Sequence, residues 1–127
     1  MAKIAVTAPA APTAVGPYSH AVIGNGMVFT AGQVGLVPGT KELAEGGIEG
    51  QTAQAIENLR SVLEACGSSL DKVVKTTVFL ANMDDFPAMN AIYARYFWRT
   101  QPARSTVQVA RLPLGALVEI EAIALER

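Results

Sequence analysis

The sequence predicts an α+β fold in which two helices pack on one face of a mixed β-sheet, in the order β-β-α-β-α-β-β. Two stretches carry apolar residues at helical spacing, several shorter runs are rich in β-branched residues, and turn-forming residues separate them. At 127 residues the chain is long enough for a single domain, residues 1–127, with one hydrophobic core.

The first third of the chain is predicted to contain a β-hairpin. Turn-forming residues interrupt this region at Gly16-Pro17, Gly24-Asn25-Gly26 and Pro38-Gly39. The two short runs between them, His20–Ile23 and Met27–Gln33, are the candidate strands. The preceding residues, Met1–Ala14, lack the apolar core and cleavage pattern of a signal peptide, so we expect an extended lead-in.

A first helix is predicted between Ile48 and Cys66, and Gly67 supplies a stop for it. The apolar positions that recur at helical spacing there are Ile56, Leu59, Val62, Leu63 and Cys66. The run Val73–Ala81 that follows is rich in β-branched residues and predicts a strand.

A second helix is predicted to begin near Asp84-Asp85, whose carboxylates can cap its N-terminus, with Pro87 in the first turn. Five residues share one face of this helix: Phe86, Met89, Tyr93, Tyr96 and Phe97. Two further strands, Arg104–Ala110 and Leu117–Leu125, are expected to complete the sheet.

Side-chain alternation in these last two strands predicts one buried and one mixed face. The residues expected to face the helices are Val107, Val109, Val118 and Ile120. The opposite face is then expected to carry Arg104, Thr106, Gln108, Glu119 and Glu121, interleaved with Ile123 and with Phe79 or Phe29. Because such a face is too apolar for solvent and too charged for a monomer core, we expect it to lie between subunits.

Composition argues against several classes of function. The formal net charge is −1 and the lysines and arginines are scattered singly, so no nucleic-acid partner is expected. Cys66 is the only cysteine and His20 the only histidine, so a Cys-rich zinc site is excluded and no metal site is predicted. No run of about eighteen apolar residues is present to form a transmembrane helix. The expectation is a soluble, cytoplasmic protein without a membrane partner.

Three charged residues on the predicted mixed face are candidates for chemistry. Arg104 can hold a substrate carboxylate through two parallel hydrogen bonds, although alternation alone favours an ion pair with Glu119 or Glu121. Two glutamates on one strand usually form a solvated stripe. Their apolar neighbours here predict burial instead, which would raise the pKa of a carboxyl group and suit it to general acid–base catalysis.

Gly32, Tyr18 and Cys66 are further residues to consider. Gly32 could let a ligand approach the backbone, although a β-bulge is the commoner reason for a glycine in a strand. Tyr18 follows a turn and offers a hydroxyl, although such a tyrosine more often packs with its hydroxyl in water. Cys66 lies on the apolar face of the first helix and is expected to be buried and unreactive.

Four segments form an ordered set along the chain. They are Gly16-Pro17-Tyr18-Ser19, then Thr30-Ala31-Gly32-Gln33, then Val74–Phe79 with Met83–Phe86, and finally Pro102–Val107 continuing through Ala110-Arg111-Leu112-Pro113 to Glu119-Ile120-Glu121-Ala122. Each segment is short, but the ordered set is highly specific. On these segments the chain resembles the RidA/YjgF family from end to end.

The resemblance implies a chorismate-mutase-like fold assembled as a homotrimer, with the sheets lining a central barrel and three clefts at the subunit interfaces. It also implies a 2-iminobutanoate/2-iminopropanoate deaminase, which hydrolyses 2-aminoacrylate and related enamines and 2-imino acids to 2-keto acids and ammonium. Pyridoxal-phosphate enzymes release such intermediates. The resemblance implies no cofactor for the deaminase itself.

The resemblance also implies roles for particular residues. Arg104 matches the family arginine that grips the substrate carboxylate, and Glu119 matches the carboxylate that positions the attacking water. The supporting positions are Tyr18 in the cleft, Gly32 and Thr106 through their backbones, and Asn90 on a helix beside the cleft. Many family members have Cys at the position of Thr106 and Ser at that of Ala31, so the resemblance leaves the substrate range open.

Other functions compete with catalysis at this stage. A non-catalytic, carboxylate-binding or regulatory trimer would retain Arg104 but lose Glu119 or Gly32, and both are present. A ribonuclease or translation inhibitor, a label also attached to the family, would require a basic cleft, against which the net charge argues. A chaperone-like holdase would require extensive exposed apolar surface.

Overall fold

The computed structural model describes residues 2–127. The elements in chain order are β1 (Ile4–Val6), β2 (Ala21–Gly24), β3 (Met27–Thr30), β4 (Gln33–Val34), α1 (Gly47–Ala65), β5 (Val73–Leu80), α2 (Phe86–Phe97), β6 (Ala103–Gln108) and β7 (Val118–Leu125). The sheet order is β1-β2-β3-β7-β5-β6, with β4 also paired to β7. Only β5 and β6 run parallel, so the sheet is mixed and the predicted α+β fold class is confirmed.

The predicted hairpin is confirmed as β2 and β3. Asn25 and Gly26 both have positive φ in the connecting turn, a conformation that matches the twist of the two strands. The second predicted strand is interrupted at Ala31-Gly32, so β3 and β4 pair with different halves of β7. The lead-in also contributes a strand, because β1 pairs with β2 at the edge of the sheet.

Both helices pack against one face of the sheet. The residues of α1 predicted to be apolar and inward are buried, and α1 ends where Gly67 takes a φ of 77° and donates to the carbonyl of Glu64. In α2, Met89, Tyr93 and Phe97 are buried, and Pro87 lies in the first turn as predicted. Burial raises the pKa of the Cys66 thiol, with a smaller contribution from Glu126.

The predicted capping role of Asp84-Asp85 was wrong. Neither carboxylate caps α2; the side chain of Asn82 instead accepts a hydrogen bond from the N–H of Asp84 at 2.9 Å. A short 3₁₀ turn, Met83–Asp85, precedes the helix, and the capping group lies before that turn.

The predicted face of β6 was also wrong, whereas that of β7 is confirmed. Arg104 is in register with Thr76 and Ala122, and Thr106 with Val78 and Ile120, all four of which are buried toward the helices. Val107 is instead in register with Phe79 and Glu119 on the opposite face. We call this opposite surface the open face; it also carries Glu121, Ile123, Phe29 and Leu125. Arg104 and Glu119 therefore lie on opposite faces of the sheet.

The position of β6 at the sheet edge explains the inversion. A side chain on the helix side of this strand reaches the flank of α2 rather than the core, and polar groups are tolerated there. Gln108, for example, accepts a hydrogen bond from the N–H of Met83 at 2.7 Å. The valine at 107 remains 43% exposed on the open face. No helix within residues 2–127 has the length and apolar character needed to span a membrane.

Candidate active site

Arg104 is held in place by the flank of α2. Its Nη1 donates a hydrogen bond to Oδ1 of Asn90 at 2.8 Å. Its guanidinium carbon lies 4.7 Å from the centre of the Tyr93 ring and 5.4 Å from that of Phe86. These contacts fix the plane of the guanidinium while leaving donors free for a ligand, because arginine carries five N–H groups.

A cavity of about 420 Å³ adjoins Arg104. Three aromatic side chains, Tyr93, Phe97 and Trp98, line it beside Arg104 and Asn90. The hydroxyl of Tyr93 is hydrogen-bonded to Thr76 Oγ1 at 2.7 Å. Burial raises the pKa of Tyr93, opposed by the hydrogen bond with Thr76 and by the charge of Arg104. The cavity therefore offers one fixed cation beside aromatic side chains, a suitable place for a small carboxylate.

Glu119 lies in a second cavity, of about 820 Å³, on the other side of the sheet. Tyr18 and Gly32 line this cavity with it, so the structure brings together three of the predicted site residues. Apolar side chains, among them Val15 and Leu114, form much of the remaining wall. Tyr18 is half exposed.

Burial raises the pKa of the Glu119 carboxyl, and the negative charge of Glu121 raises it further. The ion pair that alternation favoured is not formed, since the one salt bridge within residues 2–127 joins Arg60 to Glu57. A half-buried carboxylate whose pKa is raised binds a proton more readily, which is the property of a general base.

Gly32 is required by the packing of Glu119. A Cβ atom built on Gly32 would lie 2.8 Å from both Cδ and Oε2 of Glu119, which is closer than Cβ contacts in proteins. The glycine therefore lets the carboxyl group rest directly on the backbone between β3 and β4. A group does lie close to the Gly32 backbone, and it is the protein's own Glu119 carboxyl.

Thr106 lies on the same face of β6 as Arg104, two residues along the strand. Its hydroxyl is buried and has no hydrogen-bond partner within residues 2–127. Because β6 pairs with β5 alone among residues 2–127, its outer edge leaves backbone groups free to bind another molecule. The structure thus divides the six predicted site residues into two groups: Arg104, Asn90 and Thr106 in one, and Glu119, Tyr18 and Gly32 in the other.

Sequence reasoning missed the aromatic support of Arg104. Phe86 and Tyr93 were assigned to a buried helix face, and nothing in their spacing distinguished the flank that meets β6. The contact between this flank and β6 depends on the parallel pairing of β5 and β6, which lie on either side of α2 in the sequence. Local periodicity does not reveal a pairing between strands so far apart in the chain.

The family model described as Endoribonuclease L-PSP, which represents the YjgF/RidA proteins, matches residues 8–126. The chain belongs to the RidA/YjgF family. It is 49% identical to the 2-iminobutanoate/2-iminopropanoate deaminase of Mus musculus over 116 residues, covering 91% of this chain and 86% of the mouse protein. Relatives named as reactive intermediate deaminase or as 2-iminobutanoate/2-iminopropanoate deaminase support imine deaminase activity at the level of the family.

Solved structures of RidA/YjgF proteins share the fold throughout. The YEO7 protein of yeast matches with a TM-score of 0.96 at 46% identity, covering 99% of this chain and 100% of the yeast chain. The TdcF protein of E. coli, solved with bound serine, matches with a TM-score of 0.90 at 38% identity, covering 96% and 98% of the two chains. The family model matches residues 8–126, so both groups of site residues lie within the region shared with the family.

Proposed function

We propose that this RidA/YjgF protein hydrolyses 2-aminoacrylate and related 2-imino acids to 2-keto acids and ammonium, at clefts between identical subunits. The observation that carries the proposal is the separation of the two groups. A fixed guanidinium stands on one face of the sheet and a carboxyl of raised pKa on the other, so two copies are needed to bring them together.

Arg104 is the proposed carboxylate anchor. Its contacts with Asn90, Tyr93 and Phe86 hold the guanidinium before a substrate arrives, which reduces the entropy lost on binding. The bound serine of E. coli TdcF supports an amino-acid-sized ligand with a carboxylate. Asn90 keeps the guanidinium in place, and Thr106 offers main-chain groups at the strand edge for the substrate nitrogen.

Glu119 is the proposed base that positions water. The enamine tautomerises to an imine, water adds to the electrophilic carbon, and the carbinolamine loses ammonia. A carboxylate that accepts a proton from the attacking water and returns it to the departing nitrogen suffices for this sequence. The chemistry requires no covalent intermediate, so orientation of the substrate and the water supplies much of the acceleration.

The open face is the proposed contact between subunits in a homotrimer. Phe29, Val107 and Leu125 are each more than 40% exposed there, beside Glu119 and Glu121. Assembly would cover this apolar area and bring the Glu119 group of one chain against the Arg104 group of the next. Ribonuclease activity, which the family model's description names, is less well supported, because each cavity is lined by one cation, Arg104 or Lys41.

The first experiment measures keto acid and ammonium release while a pyridoxal-phosphate enzyme generates the enamine. We expect the wild-type chain to exceed the spontaneous rate and Arg104→Ala to fall back to it. If neither exceeds the spontaneous rate with several amino-acid precursors, the deaminase proposal fails, and Arg104 should then be tested for binding of stable carboxylates.

A second experiment tests the division of the site between chains. The Arg104→Ala and Glu119→Gln proteins, each expected to be inactive alone, are mixed in equal amounts, unfolded together and refolded. A site built from two chains regains about a quarter of the wild-type activity, since half the chains retain each group. A site contained in one chain regains none, and that outcome would refute the shared cleft while leaving the chemistry intact.

A further inference from the structure

The side chain of His20 ties the N-terminal segment, residues 7–14, to the start of β2. The N–H of Ala8 donates to Nδ1 of the ring at 2.8 Å, and Nε2 of the ring donates to the carbonyl of Pro12 at 2.8 Å. The ring is 4% exposed. An N–H can only donate and a carbonyl can only accept, so this arrangement requires the neutral ring with its hydrogen on Nε2.

Few other hydrogen bonds hold this segment. Within residues 2–127, the bonds to His20 are the side-chain hydrogen bonds that residues 7–14 make, and a single turn bond joins the N–H of Ala11 to the carbonyl of Ala8 at 3.1 Å. Pro9 and Pro12 lack an N–H to donate. His20 is therefore the principal polar anchor of a segment with no regular secondary structure.

The anchored segment is part of the wall around Glu119. Pro12 and Thr13 line the same cavity as Glu119. The backbone carbonyl of His20 also accepts a hydrogen bond from the N–H of Ala31 at 2.9 Å. Ala31 precedes Gly32, on whose backbone the Glu119 carboxyl rests. His20 thus connects two parts of the Glu119 surroundings.

We propose that His20 is a positioning residue of the deaminase, which holds residues 7–14 against the Glu119 cavity only while its ring is neutral. This inference rests on the proposed function. A second proton on Nδ1 places one donor against another, the Ala8 N–H, and removes that hydrogen bond. The segment then loses its anchor, and the wall near Pro12 and Thr13 is no longer fixed.

The surroundings of the ring contain few other groups that titrate. Strands β1, β2 and β3 have no charged residue. Among the described residues that line the adjoining cavity of about 360 Å³, Tyr18 is the other titratable side chain. Tyr18 and Thr13 also line the Glu119 cavity, so Glu119 and Lys41 face the same segment from its far side. Because Glu119 also titrates, the pH dependence of wild-type activity alone cannot identify His20.

Substitution by glutamine separates the two groups. The side chain of His20→Gln carries an acceptor oxygen and an NH2 donor group, so we expect it to replace both hydrogen bonds, but it does not titrate. His20→Leu can make neither bond. His20 is the only histidine, so its ring nitrogen signals in an NMR spectrum need no further assignment.

The test follows protection of the Ala8 amide from hydrogen exchange, together with kcat/KM above the spontaneous rate, at two pH values chosen on either side of the protonation that the His20 ring nitrogen signals report. We expect the wild type to lose Ala8 protection and activity together as the ring gains its second proton. His20→Gln should retain both Ala8 protection and activity, and its fall in kcat/KM over the same pH range should be about tenfold smaller than that of the wild type. His20→Leu should lack Ala8 protection at both pH values.

Two outcomes would overturn the proposal. One is an Ala8 amide in the wild type that stays protected after the ring nitrogens report protonation. The other is a fall in activity of the same size in His20→Gln and wild type, which would assign the pH dependence to Glu119. Exchange is measured without substrate, so a chain with no deaminase activity would still reveal whether His20 anchors the segment.

Discussion

The surroundings of Arg104 and of Glu119 differ in how well each charge is stabilised by its own chain. Arg104 has a hydrogen-bond acceptor in Asn90 and two aromatic rings against its guanidinium. Glu119 lies near a second carboxylate, Glu121, and both burial and that charge favour its protonated form. The Arg104 guanidinium is thus stabilised before a ligand arrives, whereas the charged form of Glu119 is destabilised by its surroundings.

This difference matches the two tasks that the proposed reaction sets. A group that binds a carboxylate gains from a fixed geometry, which its neighbours can supply in advance. A base gains from a raised pKa, which requires an environment unfavourable to its charge. The comparison predicts that substitutions near Arg104 affect binding, and that substitutions near Glu119 affect the chemical step and stability.

The largest effect is expected for Arg104→Ala. Loss of two charge-assisted hydrogen bonds to the substrate carboxylate should lower kcat/KM by about 10²- to 10³-fold, with the fold retained. Steady-state kinetics and a circular dichroism spectrum test this. Arg95→Ala removes an exposed arginine of α2 that does not line the Arg104 cavity, and it is the matched control. An equal loss in both variants would indicate a general electrostatic effect instead.

Glu119→Gln is expected to lower kcat by about 10²-fold while raising the melting temperature at neutral pH. The raised pKa means that the folded state disfavours the charged carboxylate, and glutamine removes that penalty. The gain should shrink as the pH falls and disappear below about pH 4, where the wild-type carboxyl is protonated in both the folded and unfolded states. Calorimetry across this range measures it. If Glu119→Gln were less stable than the wild type at neutral pH, that result would contradict the inferred destabilisation of the charged Glu119 carboxylate in the folded state.

Gly32→Ala is expected to lower kcat by about tenfold with a smaller change in stability. The new methyl group must displace the Glu119 carboxyl, whose Cδ lies 2.8 Å from the position it would occupy. Gly24→Ala is the control, since nothing lies within 4 Å of the corresponding position there. If Gly32→Ala raised KM alone, Gly32 would belong to substrate binding and not to the placement of Glu119.

The smallest effect is expected for Asn90→Ala. Removing the acceptor of the Arg104 hydrogen bond should raise KM about fivefold and leave kcat close to that of the wild type, because the two aromatic rings still hold the guanidinium. Separate determination of kcat and KM checks this division. A loss confined to kcat would place Asn90 with the groups that act in the chemical step.

The elements of the fold were predictable because their signals are local. Periodicity marked both helices, and the residues Asn25 and Gly26 marked the hairpin turn. The alternation of Val118, Ile120 and Ala122 correctly assigned Glu119 to the opposite face. The short strands β1 and β4 were missed, since three and two residues are too few to show an alternation.

The sequence by itself determined both helices and the longer strands, the presence of charged residues on a nearly buried strand, and, through its ordered motifs, the family. Tertiary structure decided that Arg104 faces the helices, that its neighbours are Asn90, Tyr93 and Phe86, and that the Glu119 carboxyl rests on Gly32. The reason is physical. Helical and strand periods record which residues share a face of one element, whereas the direction of that face depends on hydrogen-bond register between strands that are distant in the chain.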